Sequence, residues 1–298
     1  MEDELRQSGH SLGYYAVAFI DLLGQRDELR QLGQLPDPDD RAEMQRFAIS
    51  YDRTIGRVRL FHETFIKLFS AFQSSVPSEL IRTVLEKTLG RQIAPIQFGY
   101  KRFWDGIQIY VPLSDENSEL STSGVWGLLG ACAGVFLIEL AVGQPMRGGI
   151  DVGIGEEIEE NEIYGNAQLR AYELESKTAQ YPRIVIGAEL MKFLHAQQKR
   201  EVSSAYSAVQ QGIAKACCQF ITYDLDGEPV LDYLGDCVRE FVQQNEDGDK
   251  FPIEQAYKNV LQSLECWEQE GNAKLASRYG LMKRYFDSRI DAWRMNNE

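Results

Sequence analysis

Positive charge is scarce in this chain. Its 298 residues include 31 Lys and Arg against 45 Asp and Glu, giving a formal net charge of −14 and a sequence pI of about 4.8. Binding a nucleic acid polymer through bulk charge needs an excess of basic residues, so we expect no such partner. The hydrophobic share of 44% and the charged share of 26% are typical of a packed globular protein.

Cysteine and histidine are also few. The five cysteines form no CxxC pair, so the sequence predicts neither a disulfide framework nor a zinc ribbon, and a reducing cytoplasm is the expected location. The chain has three histidines and no HExxH motif, so it has few imidazole groups that could activate a nucleophile. The GxxxxGK[ST] phosphate loop and the GxGxxG turn are absent. Any metal or phosphate chemistry must therefore rest on carboxylates.

Two segments bear on membranes. The N-terminus, MEDELRQSGHS, is acidic and lacks a basic region followed by an apolar stretch, so we predict no secretory signal. Residues 124–143 are 20 positions with Glu139 as the only charge, about the length that spans a bilayer. This segment has an acidic flank on one side and no charge before Arg147 on the other, which favours a buried helix of a soluble protein over a membrane span.

Apolar patterns and turn residues predict a mixture of strands and helices. Strands are expected at 14–20, 93–99, 106–111, 145–155, 183–186, 220–225 and 229–234, and helices across 41–90, at 124–143, from 164 to about 177, from 188 and from about 251. Because strands follow one another directly more than once, we expect an α+β fold with helices on one face of the sheet. We assign 1–235 to one domain with a helical insertion at about 26–92, and 236–298 to a helical C-terminal extension.

Two carboxylates lie at the ends of apolar strands. Asp21 closes the strand AVAFI, and Asp105 comes just before GIQIYV. Two such groups on neighbouring strands repel each other unless a cation lies between them, and their oxygens suit Mg²⁺ or Mn²⁺. The backbone N–H groups of the turn formed by Leu22, Leu23 and Gly24 are able to face a phosphate. The alternative is that both aspartates form turns or cap helices.

Four segments, in this order, resemble the class III nucleotide cyclases: FIDLLG at 19–24, KRFWDGIQIYV at 101–111, MRGGIDVG at 146–153 and YGNAQLRAYELES at 164–176. The AYELES ending and the long helical excursion between the aspartates look most like the bacterial pyrimidine cyclases of Pycsar antiphage systems. The resemblance covers about residues 14–235. It implies a ferredoxin-like fold with a mainly antiparallel sheet, synthesis of cyclic UMP or cyclic CMP from UTP or CTP in antiphage defence, and a homodimer with sites shared between head-to-tail subunits.

The resemblance also assigns roles to single residues. Asp21 and Asp105 match the two aspartates that bind two divalent cations, Mn²⁺ or Mg²⁺, and the Leu22 carbonyl matches the backbone ligand. Lys101 and Glu162 fall where purine cyclases keep the Lys and Asp that read the base. Glu162 is also part of the acidic stretch EEIEENE, which is typical of a solvated loop.

The helix after residue 164 departs from the family pattern. Purine cyclases carry there an Asn that orients the ribose and an Arg that stabilises the transition state, whereas this chain has Leu169 and Glu173. Either Arg170 or a basic residue from elsewhere takes over that role, or the chain is inactive. Three aromatic residues are candidate walls of a narrow pyrimidine pocket, although each is as typical of a core: Tyr51, Tyr100 and Trp104.

Two alternatives stay open. Lys101 and Glu162 favour a purine cyclase, and the losses at 169 and 173 favour a non-catalytic nucleotide-binding or scaffold protein. The helices at 124–143 and after Tyr164 are candidate dimer contacts. Residues 41–102 contain 11 Lys and Arg against 5 Asp and Glu, so this segment would attract a triphosphate if the fold brings it near Asp21 and Asp105.

Overall fold

A computed structural model describes residues 12–25, 30, 32–33, 35–74, 83, 86–87, 96–103, 105–114, 120–159, 161–244 and 253–294. Its strands are β1 (Leu12–Leu22), β2 (Gly99–Arg102), β3 (Gly106–Pro112), β4 (Met146–Glu159), β5 (Glu162–Gly165), β6 (Ile184–Ile186), β7 (Ile221–Tyr223) and β8 (Pro229–Leu231). Its helices are α1 (Arg41–Tyr51), α2 (Arg57–Gln73), α3 (Ser123–Ala141), α4 (Asn166–Glu173), α5 (Ala188–Lys199), α6 (Ala205–Cys218), α7 (Asp236–Gln244), α8 (Ile253–Gln269), α9 (Ala273–Asp287) and α10 (Ile290–Arg294). π-Helical turns run over Asp52–Gly56, between α1 and α2, and over Leu174–Thr178, after α4.

All eight strands belong to one sheet, with the order β2-β3-β1-β4-β6-β8-β7 and with β5 paired to β4. Only the β4–β6 pair is parallel among the pairs in this sheet. The expected α+β class and mostly antiparallel sheet are therefore confirmed. β1 is an interior strand, paired with β3 on one side and β4 on the other.

Alternate side chains of β1 enter two different cores. Ala16, Ala18 and Ile20 are buried against the helices of the main core, whereas Tyr15 and Val17 pack with Ala167 and Ala171 of α4. Because successive side chains of a strand point to opposite faces, helices cover both faces of the sheet. The expectation of helices on one face is wrong.

Glycines of β4 explain how α4 reaches the second face. A Cβ on Gly149 would lie 2.4 Å from the Ala171 carbonyl oxygen, and one on Gly153 would lie 2.8 Å from the Ala167 amide nitrogen. The absence of these side chains lets the helix backbone approach the strand directly. The segment MRGGIDVG therefore forms part of β4 and also provides the surface on which α4 packs.

The apolar segment at 124–143 forms the central helix α3. By length and composition α3 is able to cross a membrane, but 89% of its most apolar window is buried inside the protein. Asn259 of α8 donates to the carbonyls of Leu140 and Ala141, at 3.1 and 2.7 Å, where α3 ends. The prediction of a buried helix is confirmed, because most of α3 is enclosed by its own chain.

The C-terminal helices share the main core with the sheet. Phe241 of α7 stacks on Phe72 of α2 with ring centroids 3.7 Å apart, and Met282 and Phe286 of α9 are buried in the same cluster. The hairpin expected around Asp226 and Gly227 is present as β7 and β8. The predicted insertion contains α1 and α2. Of the strand predicted at 93–99, residues 93–95 lie outside the described residues, and 96–98 are not in a strand, because β2 begins only at Gly99.

Candidate functional site

Asp21 and Asp105 lie at the same end of the sheet. In the β1–β3 pair Asp21 is opposite Gly106, which places Asp105 beside the end of β1. The Leu22 amide donates to the Asp105 carbonyl oxygen at 2.7 Å, so the two backbones are joined at this point. The structure thus brings together the two carboxylates that the sequence singles out.

The turn after Asp21 is fixed to the start of β4. The Leu23 amide donates to the Pro145 carbonyl at 2.9 Å, and the Gln144 side chain donates to the Leu23 carbonyl at 2.7 Å. Gly24 has a φ of +89°, a conformation that favours glycine. The turn of Leu22, Leu23 and Gly24 is therefore a defined backbone feature beside both carboxylates.

Arg147 and Glu175 complete this end of the sheet. Arg147 is opposite Asp21 in the β1–β4 pair, and its Nε donates to Asp21 Oδ2 at 3.3 Å. The same nitrogen lies 2.7 Å from Glu175 Oε1, an ion pair without a hydrogen bond to that oxygen. Burial raises the pKa of Glu175, which is 3% exposed; Arg147 opposes the shift, and the charges of Asp21 and Asp105 add to it. Arg147 therefore pairs with Asp21 and Glu175, and the charge of Asp105 acts on Glu175.

Sequence reasoning missed both Arg147 and Glu175. Each lies inside a segment quoted above, MRGGIDVG or YELES, but only the β1–β4 register places Arg147 against Asp21. A signal was present: Arg147 is the first charge after a long apolar helix and stands at the start of an apolar strand. A charged side chain there requires a partner of opposite sign.

The donors at this site suit a hard divalent cation. Carboxylate and carbonyl oxygens are the ligands that Mg²⁺ and Mn²⁺ prefer. The guanidinium of Arg147 already sets a positive charge against Asp21 and Glu175. Over the described ranges, no group of three or more His, Cys, Asp and Glu residues has an arrangement that could hold a metal ion.

Lys101 and Glu162 form an ion pair between β2 and β5. Asn161, with a φ of +66°, makes the tight turn before β5, and its amide donates to Glu157 at 3.2 Å. The Tyr100 amide donates to the Asn161 side chain at 3.4 Å, which ties β2 to this turn. The acidic stretch is therefore a strand hairpin rather than a solvated loop.

Arg170 is held elsewhere. Its Nη1 donates to the Val152 carbonyl at 3.0 Å. Val152 is five positions along β4 from Arg147, a separation of roughly 17 Å in an extended strand. One chain thus does not bring Arg170 to Asp21. On the same helix, Glu173 pairs with Lys177 at 2.6 Å.

Two of the three proposed aromatic walls, Tyr51 and Tyr100, pack on side chains other than the two aspartates. Tyr51 is an exposed residue of α1 that packs on Phe47, and Tyr100 packs on buried His62 with ring centroids 4.0 Å apart. Trp104 lies outside the described residues. A different group of rings adjoins the two aspartates. Phe19 packs on Phe103, with ring centroids 5.3 Å apart, and on Tyr172, with ring centroids 5.4 Å apart.

Comparison with known proteins gives no match: no family model, no curated protein and no solved structure matches this chain. Its function has to be argued from the site.

Proposed function

We propose that this protein is a class III nucleotide cyclase of the pyrimidine type, which converts UTP or CTP into 3′,5′-cyclic UMP or cyclic CMP and pyrophosphate. As in Pycsar systems, it would supply a second messenger for antiphage defence in the cytoplasm. The observation that carries this proposal is the convergence of the four cyclase-like segments. Each contributes one charged residue to the same end of the sheet, and these residues are Asp21, Asp105, Arg147 and Glu175.

The sheet topology supports the proposal. The described helices α1 and α2 lie between β1 and β2, and α3 lies between β3 and β4. With β2-β3-β1-β4 as the order of neighbours, this is the β-α-β-β-α-β succession of ferredoxin-like folds. The additional strands β6, β7 and β8 extend the sheet beyond β4.

In this proposal the carboxylates of Asp21 and Asp105 and the carbonyl of Leu22 hold two divalent cations, Mn²⁺ or Mg²⁺. Bound there, such ions lower the pKa of the ribose 3′-hydroxyl and neutralise charge on the leaving pyrophosphate. The amides of Leu22 and Leu23 are bonded to the carbonyls of Asp105 and Pro145, so in this proposal the phosphates meet the turn at Gly24. Arg147 stands ready to exchange a carboxylate for a phosphate oxygen. The 3′-oxygen bonds to the α-phosphorus as the bond to the β-phosphate breaks, and the hydroxyl proton passes to solvent.

A homodimer with shared sites follows from the same proposal. The Lys101–Glu162 pair lies on edge strands, and Arg170 is far from the Asp21 of its own chain. A patch of four apolar side chains, each between 45% and 71% exposed, covers the opposite end of β1, β4 and β5: Leu12, Tyr14, Ile154 and Tyr164. A second copy would bury this patch and bring its own base-reading residues to the metal end.

One observation favours a purine cyclase as the second candidate. Lys101 and Glu162 are in contact, as a base-reading pair requires. The substitutions Leu169 and Glu173 instead favour a pyrimidine substrate or a non-catalytic nucleotide-binding protein.

The experiment is to incubate the purified protein with Mn²⁺ and each of the four nucleoside triphosphates, and to identify products by mass spectrometry. Cyclic UMP or cyclic CMP, lost in Asp21→Asn and kept in the exposed control Glu268→Gln, supports the proposal. Cyclic AMP or cyclic GMP selects the purine alternative. No cyclic product from any of the four, with a folded protein, contradicts a cyclase.

A further inference from the structure

A cavity of about 200 Å³ opens between the helical insertion and the metal end of the sheet. Gln25, which follows Gly24, and Phe103, two residues before Asp105, form the side nearest the two aspartates. Thr54 to Arg59 contribute the opposite wall. The cavity therefore adjoins the metal end but is built largely from a segment that the cyclase-like motifs do not include.

The cavity is basic. Arg59 and Arg102 line it, and among the described residues no Asp or Glu does so. Within the described part of the chain neither guanidinium pairs with a carboxylate, whereas Arg183, Arg239 and Arg289 have carboxylate oxygens at 2.6, 2.8 and 2.9 Å. Two arginines without a carboxylate partner among the described residues give this cavity a positive charge in a chain of net charge −14.

Helix α2 brings the two arginines together. Arg102 Nη2 lies 2.9 Å from Nδ1 of His62, and His62 is three residues after Arg59 on α2. Residues three apart share one helix face. Burial and the charge of Arg102 lower the pKa of His62, so the imidazole is neutral and leaves the charge of Arg102 uncompensated.

The size of the cavity limits what it takes. Pockets that enclose a whole small-molecule ligand measure roughly 300–1,000 Å³. About 200 Å³ holds only part of a nucleotide. Because guanidinium groups bind phosphate oxygens in pairs, a diphosphate group is the ligand that fits both the charge and the volume.

We propose that Arg59 and Arg102 form a polyphosphate subsite that holds the terminal phosphates of the nucleoside triphosphate, or free pyrophosphate, beside Asp21 and Asp105. The identity of the nucleotide rests on the proposed cyclase function; the anion site itself does not. The basic excess of residues 41–102 then acts on substrate binding through these two side chains.

The test measures binding of sodium pyrophosphate by calorimetry in the presence of EDTA, so that no metal at the aspartates contributes. Arg59→Gln and Arg102→Gln should each raise the dissociation constant about tenfold, because each substitution removes one charged hydrogen bond. Arg102→Lys should keep most of the affinity. The matched control is Arg53→Gln, which removes the same charge from the same insertion outside the cavity and should change affinity less than about twofold.

Equal affinity in wild type, Arg59→Gln and Arg102→Gln overturns the proposal, and so does an equal loss in Arg53→Gln, since bulk charge would then explain binding. A parallel titration with UMP and UTP separates the two sources of phosphate: the substrate subsite predicts that the two variants weaken UTP and leave UMP unchanged. Arginine-dependent pyrophosphate binding without any cyclic product would retain the subsite and remove the cyclase. If both variants form cyclic product with an unchanged KM and bind pyrophosphate as wild type does, the cyclase proposal stands and the subsite is refuted.

Discussion

Asp21 and Arg147 face each other across neighbouring strands, with Arg147 Nε 3.3 Å from Asp21 Oδ2. Glu175 Oε1 lies 2.7 Å from the same Arg147 nitrogen. The aspartate proposed to bind metal is thus paired with Arg147, and Glu175 can keep Arg147 in place when Asp21 binds a metal instead. Metal binding and the position of Arg147 are therefore coupled.

This coupling predicts opposite effects of two neutral substitutions on Mn²⁺ affinity. Arg147→Gln removes a positive charge that competes for Asp21, so Mn²⁺ should bind about threefold to tenfold more tightly. Glu175→Gln removes a negative charge and leaves Arg147 to Asp21 alone, so Mn²⁺ should bind more weakly by a similar factor. Electron paramagnetic resonance of free Mn²⁺ measures both, with Glu268→Gln as the control. Changes of the same sign in both variants would contradict the coupling.

Glu139 should make stability depend on pH. This residue of α3 is 1% exposed, and neither carboxylate oxygen has a hydrogen-bond partner among the described residues. Burial raises its pKa from 4.5 to about 7, with Arg57 opposing. Between these values the folded protein keeps the proton that the unfolded chain loses, so stability falls as pH rises from about 4.5 to 7 and is level above. The loss is ~3 kcal/mol.

Glu139→Gln removes this titration. Urea denaturation at pH 5 and pH 8 should show the variant similar to wild type at pH 5 and more stable at pH 8 by ~2–3 kcal/mol. Identical pH dependence in the two proteins would show that the buried carboxyl does not titrate in this range.

Gly130 should not tolerate a methyl group. A Cβ there would come within 2.3 Å of the Phe72 ring, which cannot retreat because Phe241 stacks on it at 3.7 Å. Gly130→Ala should cost about 1–3 kcal/mol of unfolding free energy. Gly212→Ala in α6, where nothing lies within 4 Å, should instead gain about 0.5–1 kcal/mol. Similar shifts in the two denaturation midpoints would contradict the close α2–α3 packing.

Shared sites predict complementation between two inactive variants. Asp21→Asn impairs the metal half of a site, and Arg170→Ala, in the proposed scheme, impairs the half supplied by the other subunit. A mixed dimer retains one intact site, so an equal mixture should recover about a quarter of wild-type activity. Two Asp21→Asn preparations mixed together should recover none. Absence of recovery after subunit exchange would mean that each site is built within one chain.

The sequence predicts the long elements well and the contacts between them poorly. β1, β3 and α3 carry apolar patterns strong enough to locate within two residues, because their burial depends on local composition. The sequence does not predict β5, because Glu162 ends an acidic stretch that resembles a loop, and the tight turn at Asn161 makes a hairpin of it. α4 covers the second face because glycines at 149 and 153 admit its backbone, which no hydrophobic pattern reveals.

The candidate site divides in the same way. Asp21 and Asp105 stand at strand ends that are visible in the sequence, whereas Arg147 meets Asp21 only through the register of β1 and β4. Register depends on pairing across the sheet and not on local residues. The cavity of Arg59 and Arg102 joins segments more than forty residues apart.

The most direct measurement of the central claim compares wild type, Asp21→Asn and Asp105→Asn for cyclic nucleotide formation from UTP and CTP with Mn²⁺, with thermal melts to verify folding. The two-aspartate site predicts that wild type forms cyclic UMP or cyclic CMP. Each variant should form product at least a hundredfold more slowly, a loss of ~3 kcal/mol of transition-state stabilisation, at an unchanged melting temperature. Undiminished product from a folded Asp21→Asn or Asp105→Asn variant would contradict it.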